Sequence, residues 1–323
     1  MGGRFLSPPA ARSRSARPPA PARLRAAPRP APPADRPDRR ALARGARGGA
    51  RGGPAPAPPA RPRRRTRPGG RVTPLVVASY NIHRGVGLDR RRDLDRIVAV
   101  IREISPDIVG LQEVVRGAGP PPEDQAAHLA RALGMELVMG ETRSLGDGTF
   151  GNAVLTRLRV LGSDRCDLSQ AAREPRGCLR VDLAVDGIAL HLFNCHLGLS
   201  PAERRRQLRL LADFVGASTR LGPRVLMGDF NEWHRGPITR GLRREFVSRM
   251  RRLRRTHPSV FPLFPLDRIY WDAELEGEAF HAHRSRLARL ASDHLPVVAR
   301  LQVRRRERAA PAWAAVGVRP PGE

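Results

Sequence analysis

Short apolar runs in this chain repeatedly end in a few polar residues, a pattern that demands buried strands emerging into solvent at Asn, Glu, His or Asp. The runs close on SYNIH (Ser79–His83), LQEV (Leu111–Val114), CHLG (Cys195–Gly198), GDFN (Gly228–Asn231) and SDHLP (Ser292–Pro296). LDRIY (Leu266–Tyr270) lies between the last two. Apolar runs of this length, bounded by turn residues, read as buried strands.

The segments between them complete an outline. TPLVVASYNIH opens the folded part near Val72, and Asp93–Ile104 is predicted as an amphipathic helix with Leu94, Ile97, Val98 and Ile101 on one face and Pro106 beyond it. DIVGLQEV is a second strand, GPPPED a loop, and Gln125–Leu133 a helix closed by Gly134. MELVMG, GNAVLT, CLRVDLAV and GIALHLFNCHL are predicted strands. Pro201–Phe214 is a helix with Leu208, Leu211 and Val215 on its apolar face and ERRR on a solvated one. PRVLMGDFN, LDRIYW and HLPVVARLQV are three further strands. This order predicts an α/β protein with two mixed sheets packed face to face and flanked by helices. No repeat of solenoid period is visible.

Charge divides the chain. Residues 1–71 hold 19 Arg, two Asp and no Glu, and so carry +17 of the net +28. Arg, Pro, Ala and Gly with almost no aromatic or β-branched residue bury too little apolar surface to offset chain entropy, so a disordered tail is expected there. A single folded domain is expected over 72–303, and a second disordered tail over 304–323. An Arg-rich arm can track phosphates of nucleic acid or anionic lipid. The same composition, with no Lys anywhere in the chain, is also what GC-rich codons yield. No signal-peptide core or membrane-spanning stretch is apparent. Cys166, Cys178 and Cys195 have no CxxC spacing and form no even set, which argues against a zinc site and a disulfide framework. A cytoplasmic location and a monomer are the expectations.

The polar ends carry the chemistry. Hydrolysis of a phosphate ester needs cations, hydrogen-bond donors and an oriented water, because anionic oxygens gather charge as the water attacks. Glu113 suits a hard cation such as Mg²⁺, and Asn81 can add a neutral oxygen to the same site. The GDFN turn can aim Asp229 and Asn231 at one point, Asp229 to hold and deprotonate the water and Asn231 to orient Asp229 or to donate to a phosphate oxygen. In SDHLP, Asp293 and His294 point to opposite sides if extended. His294 is expected to meet Asp267, whose carboxylate would keep it cationic, while Asp293 adds a metal ligand. His196 would be a second donor to the phosphate. Asn152, Arg173 and Arg176 are candidates for binding substrate phosphate, the arginines through their planar forks.

These motifs, in this order, resemble the endonuclease/exonuclease/phosphatase superfamily, which includes deoxyribonucleases, abasic-site endonucleases, neutral sphingomyelinases and inositol polyphosphate 5-phosphatases. The resemblance spans Val72 to Val303. It implies a four-layer α/β/β/α sandwich with the site at one edge of both sheets, a Mg²⁺ or Mn²⁺ requirement, and hydrolysis of a phosphoester such as DNA or a lipid or small-molecule phosphodiester. By resemblance, Asn81 and Glu113 bind metal, Asp229 and Asn231 position the nucleophile, and His196 with the Asp267 and His294 pair contacts the phosphate. Gly151 and Asn152 stand where pancreatic-type deoxyribonucleases look to have an acidic partner for the first histidine. REPRG looks like a stretch those nucleases use near DNA. The segment Ser248–Phe264 looks like the small bacterial branch encoded beside cardiolipin synthases, with Thr256–Ser259 as a loop beside the site. A second functional class stays open: a protein that keeps the fold without hydrolysis and binds nucleic acid or anionic membrane through its Arg-rich tail.

Overall fold

Strand order explains how the polar ends meet. The computed structural model describes residues 72–117, 124–218, 222–246 and 253–304. The N-terminal tail expected over 1–71, and residues 305–323 of the C-terminal one, lie outside the described residues. Arg304 closes the last strand instead of opening a tail.

Two sheets form the centre. The first contains β1 (Val72–Asn81), β2 (Ile108–Arg116), β3 (Glu136–Leu145), β4 (Gly148–Thr156), β10 (Leu275–Ala282) and β11 (Val297–Arg304), in the order β10-β11-β1-β2-β4-β3. The second contains β5 (Val160–Asp167), β6 (Gly177–Val185), β7 (Ile188–His196), β8 (Arg224–Asp229) and β9 (Asp267–Trp271), in chain order. Helices α1 (Leu94–Ile104), α2 (Gln125–Leu133) and α5 (Arg286–Ala291) share a core with the first sheet, and α3 (Pro201–Gly216) and α4 (Pro237–Glu245) share one with the second. The layers are therefore α/β/β/α.

Strand alternation builds these layers, because successive side chains point to opposite faces. In β1, Val77 joins the core that includes the second sheet, while Ala78 and Tyr80 join the core beneath the helices. In β4, Val154 and the pair Ala153 and Leu155 divide in the same way. The Asp93 carboxylate accepts from Arg96 N at the start of α1, and Gly134 ends α2 in the left-handed region, as the sequence predicts.

A polar bridge ties the sheets together below the site. Gln112 Nε2 donates to Asn194 Oδ1 at 2.6 Å and to Ser79 Oγ at 3.2 Å, and Asn194 Nδ2 donates to the carbonyls of Leu111 and Ala153. These amides are buried, and pairing offsets the desolvation of Asn194 and of Gln112 Nε2, while Gln112 Oε1 has no partner among the described residues.

The helix α3 departs from expectation. Glu203 and Arg204 of the ERRR segment are buried, not solvated, because the first turn of α3 packs over the loop that follows His196. Arg204 Nη1 donates there to the carbonyls of Gly198 and Leu199.

Candidate active site

Parallel pairing of β1 with β2 and of β7 with β8 brings Asn81, Glu113, His196 and Asp229 to the same ends of their strands. Antiparallel pairing does the rest: β9 starts at Asp267 opposite Asp229, and β11 runs back along β1, which puts residues 292–296 beside Asn81.

Local backbone devices aim the side chains. β2 carries one extra residue relative to β4 between Leu111 and Val114, and within that bulge Glu113 takes φ 60°. A bulge re-aims a side chain at the cost of ladder pairing. Asn231 takes φ 48° in the turn after β8, a conformation Asn tolerates better than most residues. Gly228 has no alternative, since a Cβ there would lie 1.8 Å from Cys195 O.

Two carboxylates meet one amide. Asn81 Nδ2 donates to Glu113 Oε1 at 3.2 Å and to Asp229 Oδ2 at 3.1 Å, while its Oδ1 accepts from His83 N at 3.0 Å. The other Asp229 oxygen accepts from Asn231 N at 2.9 Å. Carboxylate oxygens are the hard donors that suit Mg²⁺ or Mn²⁺, while the Asn81 Oδ1 expected to join them is turned to His83 N. The residues present therefore fit a hard divalent cation held by Glu113 beside Asn81.

The two histidines are set to opposite charge states. His294 Nδ1 lies 2.8 Å from Asp267 Oδ2, and its Nε2 lies 3.8 Å from Asp229 Oδ2. Burial opposes the charged ring, but Asp267, Asp229 and Asp293 outweigh it and push the pKa up to about 10. At His196, burial and the nearby Arg176 charge overcome the attraction of Asp229 and lower the pKa to about 3. Arg176 Nη1 lies 3.1 Å from His196 Nδ1, and a guanidinium can only donate. The neutral ring thus keeps its proton on Nε2, which lies 3.6 Å from Asp229 Oδ2 and 3.2 Å from Asn231 Nδ2. Asp229, Asp267 and His294 offer ligand atoms within 4.8 Å of one another, and so do His257, Asp293 and His294, so the expected metal ligand Asp293 belongs to one of the two groups among the described residues that could hold a cation.

The remaining expected residues divide. Asp293 is flanked by His83 Nδ1 at 3.7 Å and His257 Nε2 at 3.8 Å. Burial opposes its charge, yet His257, His294 and His83 lower its pKa to about 2. Its contacts are thus with histidines, and Ser292 Oγ, which donates to Asn81 O at 2.8 Å, links it to the Asn81 strand. Asn152 is buried between the sheets, where Nδ2 donates to Gly177 O at 2.9 Å. Arg176 is buried behind His196 and paired with Glu174 at 2.8 Å. Arg173 is exposed on the turn before Arg176, with its N–H donated to Gln170 O.

Three residues were not singled out from sequence. His257, in the loop expected beside the site, has its ring centroid 4.8 Å from that of His294, and its Nδ1 is buried without a protein partner. Its position after Thr256 gave no chemical signal. Glu232 and Arg268 directly follow Asp229-Phe230-Asn231 and Asp267, and they are buried together, with Arg268 Nη1 donating to Glu232 Oε2 at 2.8 Å and to Thr239 Oγ1 at 2.6 Å. Glu232 also accepts from Ile238 N and Thr239 N, which ties the start of α4 to the site turn.

Comparison with known proteins gives a consistent picture. The uncharacterized protein YbhP of Escherichia coli is 34% identical over 244 residues, covering 70% of this chain and 96% of the relative. The crystal structure of an endonuclease/exonuclease/phosphatase from Beutenbergia cavernae aligns with TM-score 0.60 and 26% identity over 71% of this chain and 72% of that one. A mannosyl-6-phosphatase of Bacteroides thetaiotaomicron shares the fold, with TM-score 0.60 and 20% identity over 70% of this chain and 99% of its own. Residues 78–294, from the strand that carries Asn81 to the second histidine, match the Endonuclease/Exonuclease/phosphatase family, and with site and fold in agreement the chain belongs to it.

Proposed function

We propose that the chain hydrolyses phosphoester bonds with a divalent cation, Mg²⁺ or Mn²⁺, through in-line attack of an activated water. The carrying observation is the convergence on one edge of Glu113, Asn81 and Asp229 with a cationic His294 and a neutral His196. A cation held by Glu113 beside Asn81 would supply positive charge to the substrate phosphate.

The chain's own groups do the rest. Asp229 is held at one oxygen by Asn231 N–H and at the other by Asn81, so it is oriented to take a proton from water as the water oxygen bonds to phosphorus. The opposite P–O ester bond breaks, its electron pair leaving on the ester oxygen, which takes a proton from solvent. His294, kept protonated by Asp267, donates to a phosphoryl oxygen and offsets its growing charge. His196 Nε2–H and Asn231 Nδ2–H are two donors 3.2 Å apart, and a phosphate oxygen is an acceptor that satisfies both. Asp293 is placed to steady His257 and His83 at the mouth of the site.

The test is hydrolysis by wild type and Asp229→Ala of supercoiled plasmid, an abasic oligonucleotide, sphingomyelin and a phosphoinositide, each with and without EDTA. Turnover of at least one ester, lost with EDTA and in the variant, is expected. Undiminished turnover in Asp229→Ala sinks the reading, and salt-sensitive DNA binding without hydrolysis under any metal favours a binding role for the arginine-rich residues 1–71.

A further inference from the structure

Exposed apolar side chains gather around this site. Nine large apolar side chains are exposed among the described residues, and six of them, Leu88, Trp233, Val260, Phe261, Leu263 and Leu290, lie on segments that frame the catalytic edge. Phe261 is 72% exposed and Trp233 is 59% exposed, so neither serves the core.

Contacts join these segments into one rim. The Trp233 ring lies 4.8 Å from that of Phe264, and Leu263 N donates to His257 O at 2.9 Å. Val260 O accepts from Arg289 Nη1 at 3.5 Å, and Leu88 N donates to Leu290 O at 3.0 Å. Ser259 N donates to Asp293 O at 2.8 Å, which fastens the rim to the site wall. Apolar groups concentrated on one such face mark an interaction surface.

The surrounding charge and the side-chain chemistry indicate the occupant. Segments 253–264 and 284–292 contain no acidic residue, and Arg84, Arg235, Arg286 and Arg289 are exposed on the rim segments. Arginines around apolar side chains complement an anionic surface that also has an apolar interior. Single-stranded nucleic acid is engaged through aromatic faces on which bases stack, whereas four of the six rim side chains are aliphatic.

We propose that this rim docks on an anionic phospholipid bilayer, with Phe261, Val260 and Trp233 entering the acyl boundary and the arginines resting among the headgroups. Docking presents the catalytic edge to phosphoesters at the membrane surface. That consequence rests on the phosphoesterase reading, while the docking itself does not.

The experiment uses the full chain and vesicles of phosphatidylglycerol or of phosphatidylcholine, with and without brominated acyl chains, at physiological ionic strength, where the rim arginines keep their attraction to anionic headgroups. Bromine quenches tryptophan that reaches the acyl region. Expected is quenching by phosphatidylglycerol vesicles that Trp233→Phe removes, and affinity about tenfold weaker in both Phe261→Asp and Val260→Asp. Absence of quenching, quenching that survives Trp233→Phe, or unchanged affinity in both aspartate variants overturns the proposal. Quenching of Trp233 by single-stranded oligonucleotide but not by vesicles also overturns it. Asp229→Ala is expected to dock like wild type, so failed docking and failed hydrolysis remain distinguishable.

Discussion

Asp267 Oδ2 lies 2.8 Å from His294 Nδ1, with both residues buried, and the other ring nitrogen of His294 lies 3.8 Å from Asp229 Oδ2. The strength of the Asp267 and His294 pair has a pH signature. The His294 pKa is raised from 6.5 to about 10, so the pair's contribution to stability is complete below about pH 6.5 and is lost as pH rises through about 10. Activity that depends on the cationic ring follows the same direction. Asp267→Asn is expected to move the alkaline limb of the kcat/KM profile to lower pH and to cut the plateau by about 10²–10³. A pH–rate profile with the limb unmoved would count against the pairing.

Glu113→Gln removes one charged oxygen from the proposed cation site and keeps the side-chain shape. The metal concentration for half-maximal activity is expected to rise by about tenfold or more, with the melting temperature of EDTA-treated protein little changed. Titration of activity with Mg²⁺ and Mn²⁺ after EDTA treatment checks this.

Arg176 sets the tautomer of His196 and helps keep the ring neutral. Arg176→Met is expected to raise the His196 pKa from about 3 and to lower kcat by about 10–100-fold, the range for loss of a partner that orients a working group. An NMR titration of the His196 ring beside the kinetics separates this from a general loss of structure.

Glu232 and Arg268 form a buried pair beneath the site turn. Glu232→Ala strands the guanidinium, and unfolding in urea is expected to show a loss of about 3–5 kcal/mol. A change below about 1 kcal/mol, the range of exposed pairs, would show that the pair is not buried in solution.

Much of this fold was legible along the chain, because burial on two faces leaves a plain apolar signal. β1, β2, β7 and β8 are such strands, and α1 and α2 carry clear periodicity with Asp93 and Gly134 at their ends. β5 and β10 escaped notice because each is an edge strand with most side chains exposed, which leaves VLGSDRCD and LEGEAFHA without alternation. α4 and α5 are short and Arg-rich, and they owe their place to a few buried residues such as Ile238, Leu242 and Ala288. The buried Glu203 and Arg204 were read as solvated because charge alone does not reveal a loop carbonyl waiting to be bonded.

Sequence by itself determined the residue types and their order: the apolar strands, and the Asn, Glu, His and Asp at their ends. Tertiary structure decided which of these meet. Asn81 and Asp229 are 148 residues apart and belong to different sheets, so packing of one sheet on the other is what brings them to 3.1 Å. The same packing gives His196 and His294 opposite charge states, because pKa depends on burial and neighbouring charges that no local spacing encodes. It also placed Arg176 behind a histidine and Asn152 between the sheets, positions that a linear motif cannot distinguish from the substrate-facing ones.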